Sequence, residues 1–218
     1  MIIQAAIFDM DGTVVDNMYY HEIAWATFCK NHGIPFDQEM YYTQLNGKNA
    51  FDSFSFLLKR KPTPTELKTY TDEKESLYRE IYAPNLKPAE GLVGFLNLLK
   101  EHDVRCAVAT SAPVQNIHFT LEGSGLKPLF DVVVDASMVQ HGKPAPDIFL
   151  KSAELAGASE SVVFEDALLG IQAGKAAGMP VVGLATSHTK EELAPLTDLV
   201  IADFREIDWS HFEALLHK

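Results

Sequence analysis

Residues 2–13 read Ile-Ile-Gln-Ala-Ala-Ile-Phe-Asp-Met-Asp-Gly-Thr, and this stretch decides which fold the chain can adopt. Its apolar part, Ile2–Phe8, is short and almost continuous, which is typical of a strand covered on both faces in a parallel sheet. Asp9 and Asp11 follow two residues apart, where an extended chain would place both carboxylates on the same side. Gly12 then permits a sharp turn and the close approach of a ligand. The stretch predicts a buried strand that ends in a pair of chemically useful acids.

Five more apolar runs of this kind recur along the chain, and helical patterns lie between them. The runs are Val104–Ala109, Val132–Val134, Val162–Phe164, Val181–Leu184 and Leu199–Ile201, and the helical patterns cover residues 89–102, 113–123, 145–156 and 167–177. This alternation predicts an α/β fold, a Rossmann-like parallel sheet core with helices on both faces. Ligands of such sheets bind beyond the carboxyl ends of the strands, so we expect functional residues there.

Residues 17–85 interrupt the alternation with helical patterns and no clear strand. Thr63, Pro64 and Glu66 are well placed to begin a helix, because threonine caps it, proline suits its first turn and glutamate can return the capping bond. We therefore expect an all-helical cap domain at 17–85, inserted into a core domain formed by residues 1–16 and 86–218. We interpret a group of large apolar residues in the insert as helix core, against the alternative of a substrate pocket: Phe51, Phe54, Phe56, Leu57 and Leu58.

The charge balance limits the classes of partner. The 218 residues include 18 Lys and Arg against 30 Asp and Glu, which gives a formal net charge of −12. Binding to nucleic acid or to an anionic membrane surface needs a cationic face, so we expect neither. The insert holds eight basic and nine acidic residues, so almost all of the excess acid belongs to the core domain.

The cysteine content and the apolar runs of the sequence also indicate a cellular compartment. The two cysteines, Cys29 and Cys106, are too few for a disulfide framework, and we interpret them as small apolar core residues. The beginning MIIQAAIFDMDG shows neither a cationic start nor a small-residue cleavage site, and no apolar run has the length of a membrane helix. These features predict a cytoplasmic protein.

Two later stretches carry residues that suit an anionic phosphate group. Thr110 and Ser111 end the second apolar run with hydroxyl groups and backbone donors. Lys143 is a single cation beside a helix start, where Pro144 fits the first turn. A solvated surface lysine is the ordinary alternative for Lys143.

Glu165 and Asp166 close another apolar strand, where buried carboxylates are costly unless they are paired or bound to a metal. Together with Asp9 and a backbone carbonyl, Asp166 would form an oxygen-rich site for a hard cation, and Mg²⁺ is the physiological choice. Small residues in the helix that follows are predicted to let it pack closely on the sheet: Gly170, Ala173 and Ala177.

The order of these motifs resembles the haloacid dehalogenase superfamily of phosphatases and phosphomutases. The four motifs are Asp9-Met10-Asp11-Gly12-Thr13, Thr110, Lys143 and Glu165-Asp166. The segment from Glu165 to Gly178 is similar to that of the β-phosphoglucomutase-like phosphatase group, and the helical insert resembles the cap domain of that group. The resemblance covers essentially the whole chain.

The resemblance implies phosphoryl transfer through an aspartyl phosphate. Asp9 would attack the phosphoryl group, and Asp11 would protonate the leaving oxygen and then activate water or a second hydroxyl. The resemblance also implies that the phosphoryl oxygens are held by residues of the next two motifs: Thr110, with Ser111 beside it, and Lys143. Mg²⁺ would be bound by the Asp9 side chain, the Asp11 backbone carbonyl and Asp166, with Glu165 nearby or bound through water.

The cap matches the family less completely. β-Phosphoglucomutases carry a lysine before a glycine of the cap loop and an arginine four residues later, and the corresponding positions here are Asn46 and Ala50. Lys48 and Arg79 are the remaining candidates for contact with substrate, each weighed against a solvated surface cation. His21 matches a family position that helps to gate the acid/base, against the alternative of an exposed helical histidine.

We therefore expect a Mg²⁺-dependent phosphohydrolase of a small phosphorylated metabolite, with a sugar phosphate as the first choice. The alternatives are β-phosphoglucomutase itself, a phosphonate hydrolase with Lys48 as imine former, and a non-enzyme, which would be an aspartyl-phosphate receiver module or a non-catalytic sugar-phosphate sensor. The missing cap arginine disfavours the mutase, and the acid at Asp11 disfavours the phosphonate hydrolase. Family members of this form are usually monomers, and we expect a monomer.

Overall fold

The computed structural model describes residues 3–217, in which six strands form one parallel sheet. The strands are β1 (Gln4–Phe8), β2 (Arg105–Thr110), β3 (Val132–Asp135), β4 (Glu160–Glu165), β5 (Val181–Leu184) and β6 (Leu199–Ile201). Their spatial order is β3-β2-β1-β4-β5-β6. The predicted α/β fold is confirmed, and the predicted strand start at Ile2 lies outside the described residues.

Helices occupy the connections between the strands and the long segment after β1. They are α1 (Met18–Asn31), α2 (Gln38–Met40, continued by a π-helical turn at Tyr41–Leu45), α3 (Ala50–Leu58), α4 (Pro64–Tyr82), α5 (Leu92–Glu101), α6 (Val114–Gly123), α7 (Asp147–Ala156), α8 (Leu168–Ala176), α9 (Lys190–Leu193) and α10 (Trp209–Leu216). Short 3₁₀ turns lie at Ala83–Asn85, Lys127–Leu129, Ala136–Met138 and Phe204–Glu206. Among residues 3–217, none of the helices combines the length and apolarity needed to cross a bilayer.

Both faces of the sheet are buried, which explains why its strands are nearly continuous apolar runs. Ala5 and Ile7 of β1 belong to a buried apolar cluster that includes Phe149 of α7. Phe8 points to the opposite face, where its ring stacks on Phe164 with centroids 4.6 Å apart. Further rings surround Phe8 on that face: Phe95, Phe130 and Phe204.

The register of the strands aligns their carboxyl ends along one edge. Phe8 pairs with Val108 of β2 on one side and with Phe164 of β4 on the other. The residues that follow, Asp9 and Glu165, are therefore neighbours across the β1–β4 pair. The strand order reverses between β1 and β4, and such a reversal opens the crevice in which α/β sheets bind ligands.

The chain divides into two compact units, one formed by residues up to Asp16 together with residues from Leu86, and the other by Asn17–Asn85. Within the second unit, α1 packs against α4, and Trp25, Phe28 and Phe54 lie in its apolar core. The core interpretation is wrong for two of the phenylalanines, because one face of α3 carries Phe54 and Leu57 inward and leaves two rings largely exposed: Phe51 and Phe56.

The start of α4 has the predicted capping box. Thr63 Oγ1 accepts a hydrogen bond from the Glu66 amide at 3.2 Å, and Glu66 Oε2 accepts one from the Thr63 amide at 2.8 Å. Both cysteines are buried, and burial raises the pKa of the Cys29 thiol to about 11 and that of Cys106 to about 12. Such thiols are chemically inert, in agreement with a core role.

Replacing Thr63 by alanine should lower the free energy of unfolding by about 1 kcal/mol, because the Glu66 amide in the first turn loses its capping partner, the Thr63 hydroxyl. Urea denaturation measures this. Thr65→Ala is the matched control, since Thr65 is exposed within the same helix and alanine is the better helix former there. Equal destabilisation by the two variants would contradict the role given to the cap.

Candidate active site

The loop after β1 folds back sharply and carries both acids of the first motif. Asp9 is buried, and its backbone amide continues the sheet by donating to the Phe164 carbonyl at 2.9 Å. The strand ends there, and the following residues form a turn in which the Gly12 amide donates to the Val15 carbonyl at 2.8 Å. Asp11, just before Gly12, is half-buried and forms an isolated β-bridge with Val15.

Lys143 reaches the buried acids from the loop before α7. Its Nζ lies 2.5 Å from Asp9 Oδ1 and 2.6 Å from Glu165 Oε1, and only a tenth of the side chain is exposed. Asp147 stabilises this loop, because its Oδ2 accepts a hydrogen bond from the His141 amide at 3.2 Å. The interpretation of Lys143 as a solvated surface lysine is therefore wrong, since the structure brings it into the acidic group.

Glu165 uses both of its carboxylate oxygens within the protein. Oε1 accepts from Lys143, and Oε2 accepts from the Ala167 amide at 2.7 Å. A Cβ atom at Gly170 would lie 1.6 Å from Glu165 Oε1, so this position has to be glycine for the carboxylate to fit. Glu165 is the last residue of β4, so Gly170 lets α8 approach the sheet closely, in agreement with the predicted packing. Gly174 also packs on the sheet, because a Cβ there would meet Val181 at 2.8 Å.

Asp166 is buried and is held by hydroxyl groups. Ser187 Oγ donates to Asp166 Oδ2, and Thr13 Oγ1 lies 3.5 Å from Asp166 Oδ1. Gly12 adopts a positive φ of 83° directly against this carboxylate, where a Cβ atom would come within 2.1 Å of Oδ2. The turn after β1 and the end of β4 are thus in contact.

Thr186 and Ser187 are residues that our sequence reasoning missed. Both follow β5 at the same edge of the sheet, and Thr186 Oγ1 donates to the Gly12 carbonyl at 2.6 Å. The signal that identified Thr110 and Ser111, hydroxyl residues just beyond an apolar strand, also applies to them.

Thr110 is buried at the end of β2, where its Oγ1 accepts a hydrogen bond from the Ala112 amide at 3.0 Å. This contact leaves the hydroxyl proton of Thr110 available for donation. Ser111 is exposed immediately after it. The second motif therefore lies at the same sheet edge as the acids.

Burial dominates the electrostatics of the acidic group. Burial raises the pKa of Asp9 to about 8 against the opposing effect of Lys143, and the carboxylates of Glu165 and Asp11 add to the rise. Burial, then Glu165 and Asp9, raise the pKa of Asp166 well above its usual range. Burial alone would lower the pKa of Lys143, but contact with Asp9 and Glu165 raises it instead.

The residues present fit a divalent cation. Asp9, Glu165 and Asp166 are all buried, and each offers a carboxylate oxygen within 4.8 Å of the others. Among the described residues, Lys143 is the cation that contacts two of them, so the ionised group would carry an excess of negative charge. An all-oxygen set of this kind suits Mg²⁺, Ca²⁺ or Mn²⁺.

The three cap candidates lie within the helical unit and differ in exposure. His21 on α1 is half-buried, with Nδ1 2.8 Å from Lys74 Nζ and its ring stacked on Tyr78 at 3.8 Å between centroids. His21 is therefore part of a packed network, and the alternative of an exposed histidine is wrong. Lys48 is exposed in the loop before α3, and Arg79 is half-buried on α4.

Comparisons with known proteins agree with this geometry. The family model "haloacid dehalogenase-like hydrolase" matches residues 3–178. Fructose-1-phosphate phosphatase YqaB of Escherichia coli (strain K12) is 33% identical, over 81% of this chain and 93% of that protein. Beta-phosphoglucomutase of Bacillus subtilis (strain 168) is 32% identical, over 83% of each chain. The crystal structure of a family IA, variant 3 hydrolase from Entamoeba histolytica HM-1:IMSS superimposes with a TM-score of 0.92 at 28% identity, over 99% of this chain and 100% of that one.

Gly170→Ala should destabilise the protein by more than about 2 kcal/mol, because the added methyl group has no space beside the buried Glu165 carboxylate. Gly94→Ala is the matched control. Gly94 also lies within a helix, but a Cβ there meets nothing within 4 Å, so the change should stabilise the protein by roughly 0.5–1 kcal/mol. Thermal or urea unfolding of the two variants tests the difference, and similar effects would contradict the steric account.

The raised carboxylate pKa values predict how stability depends on pH in protein stripped of divalent ions. Between pH 3.8 and about 8, folded Asp9 keeps a proton that the unfolded chain loses. The folded state then binds more protons than the unfolded state, so the Asp9 contribution to stability falls as the pH rises through this window. Asp9→Asn should flatten the decline in urea unfolding measured in EDTA. An identical pH dependence in the variant would contradict the assignment.

Proposed function

The chain belongs to the haloacid dehalogenase-like hydrolases, and on this basis we propose that it is a Mg²⁺-dependent phosphohydrolase of a small phosphorylated metabolite, with sugar phosphates as first choice. The observation that carries the proposal is the buried contact of Lys143 with Asp9 and Glu165 beside Asp166, at the strand-order reversal. Phosphoryl transfer consists mainly of positioning and charge neutralisation, and this group of residues can supply both.

Asp9 is the proposed nucleophile. One of its carboxylate oxygens forms a bond to phosphorus while the bond from phosphorus to the ester oxygen breaks, and Asp11 gives its proton to that leaving oxygen. Water then attacks the phosphorus of the aspartyl phosphate, Asp11 takes the proton of the water, and the bond to Asp9 breaks. Asp11 lies close enough to Asp9 to contribute to its raised pKa. This proximity supports the roles of Asp9 as nucleophile and of Asp11 as proton donor and acceptor.

Lys143, Thr110 and Ser111 are the proposed ligands of the phosphoryl oxygens. Lys143 already lies 2.5 Å from Asp9 Oδ1, so its ammonium group is beside the carboxylate to which the phosphoryl group would be transferred. Thr110 has a hydroxyl proton to donate, and Ser111 is exposed next to it. Donors that are fixed before the reaction stabilise developing charge without reorganisation.

Asp9, Asp166 and the backbone carbonyl of Asp11 are the proposed ligands of Mg²⁺, with Glu165 beside the ion. When bound, the ion would offset the negative charge of the carboxylates and of the phosphoryl group. Glu165 orients Lys143 and anchors the start of α8, since each of its oxygens already accepts a hydrogen bond.

The substrate class rests on the relatives and on the cap sequence. One relative is a fructose-1-phosphate phosphatase, which supports a phosphorylated sugar. The 32% identity to the Bacillus subtilis enzyme keeps β-phosphoglucomutase as a second candidate. Asn46 and Ala50 stand where the resemblance would place the mutase lysine and arginine, and this favours hydrolysis over the retention of a bisphosphate.

Both functions are tested in one assay. Purified protein with Mg²⁺ is incubated with fructose 1-phosphate, β-glucose 1-phosphate and other sugar phosphates, and both free phosphate and isomerised sugar phosphate are measured. Release of phosphate without isomerisation is the expected result. Conversion of β-glucose 1-phosphate to glucose 6-phosphate would select the mutase, and the absence of turnover on every ester would overturn the proposal in favour of a sensor.

Asp9→Asn should reduce turnover by about three orders of magnitude or more, because an amide does not attack phosphorus. Asp11→Asn should reduce it by roughly 10²–10⁴, since proton transfer to the leaving oxygen is lost. Asp103→Asn is the control, because it makes the same change at an exposed aspartate outside the four motifs. This variant should retain the wild-type rate. A wild-type rate in Asp9→Asn would refute the nucleophile.

A further inference from the structure

The residues after β5 connect two parts of the acidic site that are far apart in sequence. Thr186 Oγ1 donates to the carbonyl of Gly12, in the turn after β1, at 2.6 Å. Ser187 Oγ donates to Oδ2 of Asp166, at the end of β4. Two adjacent hydroxyl groups thus hold the turn and the carboxylate at once, and we call Thr186 and Ser187 the hydroxyl clamp.

The position of the turn makes such a clamp necessary. Gly12 lies so close to Asp166 that a Cβ atom would come within 2.1 Å of Oδ2, so a small displacement of the turn would move the carboxylate. Asp9, which is the proposed nucleophile and the other carboxylate ligand proposed for the metal, lies three residues before Gly12 on the same loop. The relative positions of Asp9 and Asp166 therefore depend on what fixes this turn.

The chemistry of the clamp suits a metal ligand. A carboxylate has about four acceptor sites, so the hydrogen bond from Ser187 and the long contact from Thr13 leave lone pairs of Asp166 for a cation. A hydroxyl group is neutral and adds no positive charge, whereas Lys143 already compensates part of the charge on Asp9 and Glu165. The clamp thus orients Asp166 without competing electrostatically with a divalent ion.

We propose that Thr186 and Ser187 are positioning residues, which hold the Gly12 turn and the Asp166 carboxylate in the arrangement that binds Mg²⁺. This inference rests on the metal site of the proposed function. Partners that orient metal ligands in this way typically contribute 10- to 100-fold to metal affinity.

The test is calorimetric titration of Mg²⁺ into metal-free protein, which needs no substrate. Ser187→Ala should weaken Mg²⁺ binding by about 10- to 100-fold, whereas Ser187→Thr, which keeps the hydroxyl group, should stay near wild type. Ser210→Ala is the matched control, because Ser210 also donates to an aspartate, Asp208, at an exposed helix start. It should bind Mg²⁺ like the wild-type protein.

Thr186 has its own pair of variants. Thr186→Val keeps the shape of the side chain and removes the donor to the Gly12 carbonyl, so it should weaken Mg²⁺ binding, while Thr186→Ser should retain it. Far-UV circular dichroism and the unfolding temperature in EDTA, measured for every variant, show whether a loss of affinity is a loss of fold. In Ser187→Ala the rate of phosphate release from a sugar phosphate should recover at saturating Mg²⁺, because Ser187 acts through the proposed metal ligand Asp166.

Each outcome decides the inference. Wild-type Mg²⁺ affinity in Ser187→Ala and Thr186→Val would overturn it, and so would a wild-type protein that binds no Mg²⁺. Equal losses in the alanine and threonine variants at position 187, accompanied by a lower unfolding temperature, would assign Ser187 to packing alone. If Mg²⁺ affinity depends on the clamp as expected but the protein hydrolyses no phosphate ester, only the proposed function is overturned.

Discussion

Three carboxylates buried beside one ammonium group are the constraint on which the rest of the site depends. Asp9, Glu165 and Asp166 are almost inaccessible to solvent, and Lys143 contacts only the first two. Burial of ionised carboxylates costs free energy unless donors or cations compensate them, and the raised pKa values of Asp9 and Asp166 express that cost. The protein supplies hydroxyl and amide donors to Asp166 and Glu165, and the remaining negative charge is what a divalent ion would compensate.

The register of the strands brings these charged side chains together. Pairing of Phe8 with Phe164 brings the ends of β1 and β4 together, and the aromatic packing below the sheet fixes both strands. Gly12 and Gly170 then allow the backbone to approach the carboxylates more closely than any side chain would permit. The two glycines therefore belong to the site, although neither has a functional group.

Sequence patterns were sufficient for the strands, because a strand buried on both faces has no polar positions to obscure it. They also brought Asp9, Lys143 and Asp166 into one hypothesis, since strand ends of a parallel sheet meet at one edge. They failed where a contact depends on three-dimensional proximity alone. The contact of Gly170 with the Glu165 carboxylate and that of Ser187 with Asp166 have no periodicity or spacing in the sequence, although hydroxyl residues just beyond an apolar strand do mark position 187. Phe56 lies on the outer side of its helix.

If Asp9 carries the phosphoryl group between two displacements, as proposed, the configuration at phosphorus records both of them. Each in-line displacement inverts the configuration at phosphorus, so two in succession restore it. The measurement uses a sugar phosphate ester made chiral at phosphorus with oxygen isotopes and sulfur, and determines the configuration of the thiophosphate that is released. Retention of configuration is the expected result. Inversion would contradict it, because it would show that water attacks the substrate in a single step without an aspartyl phosphate.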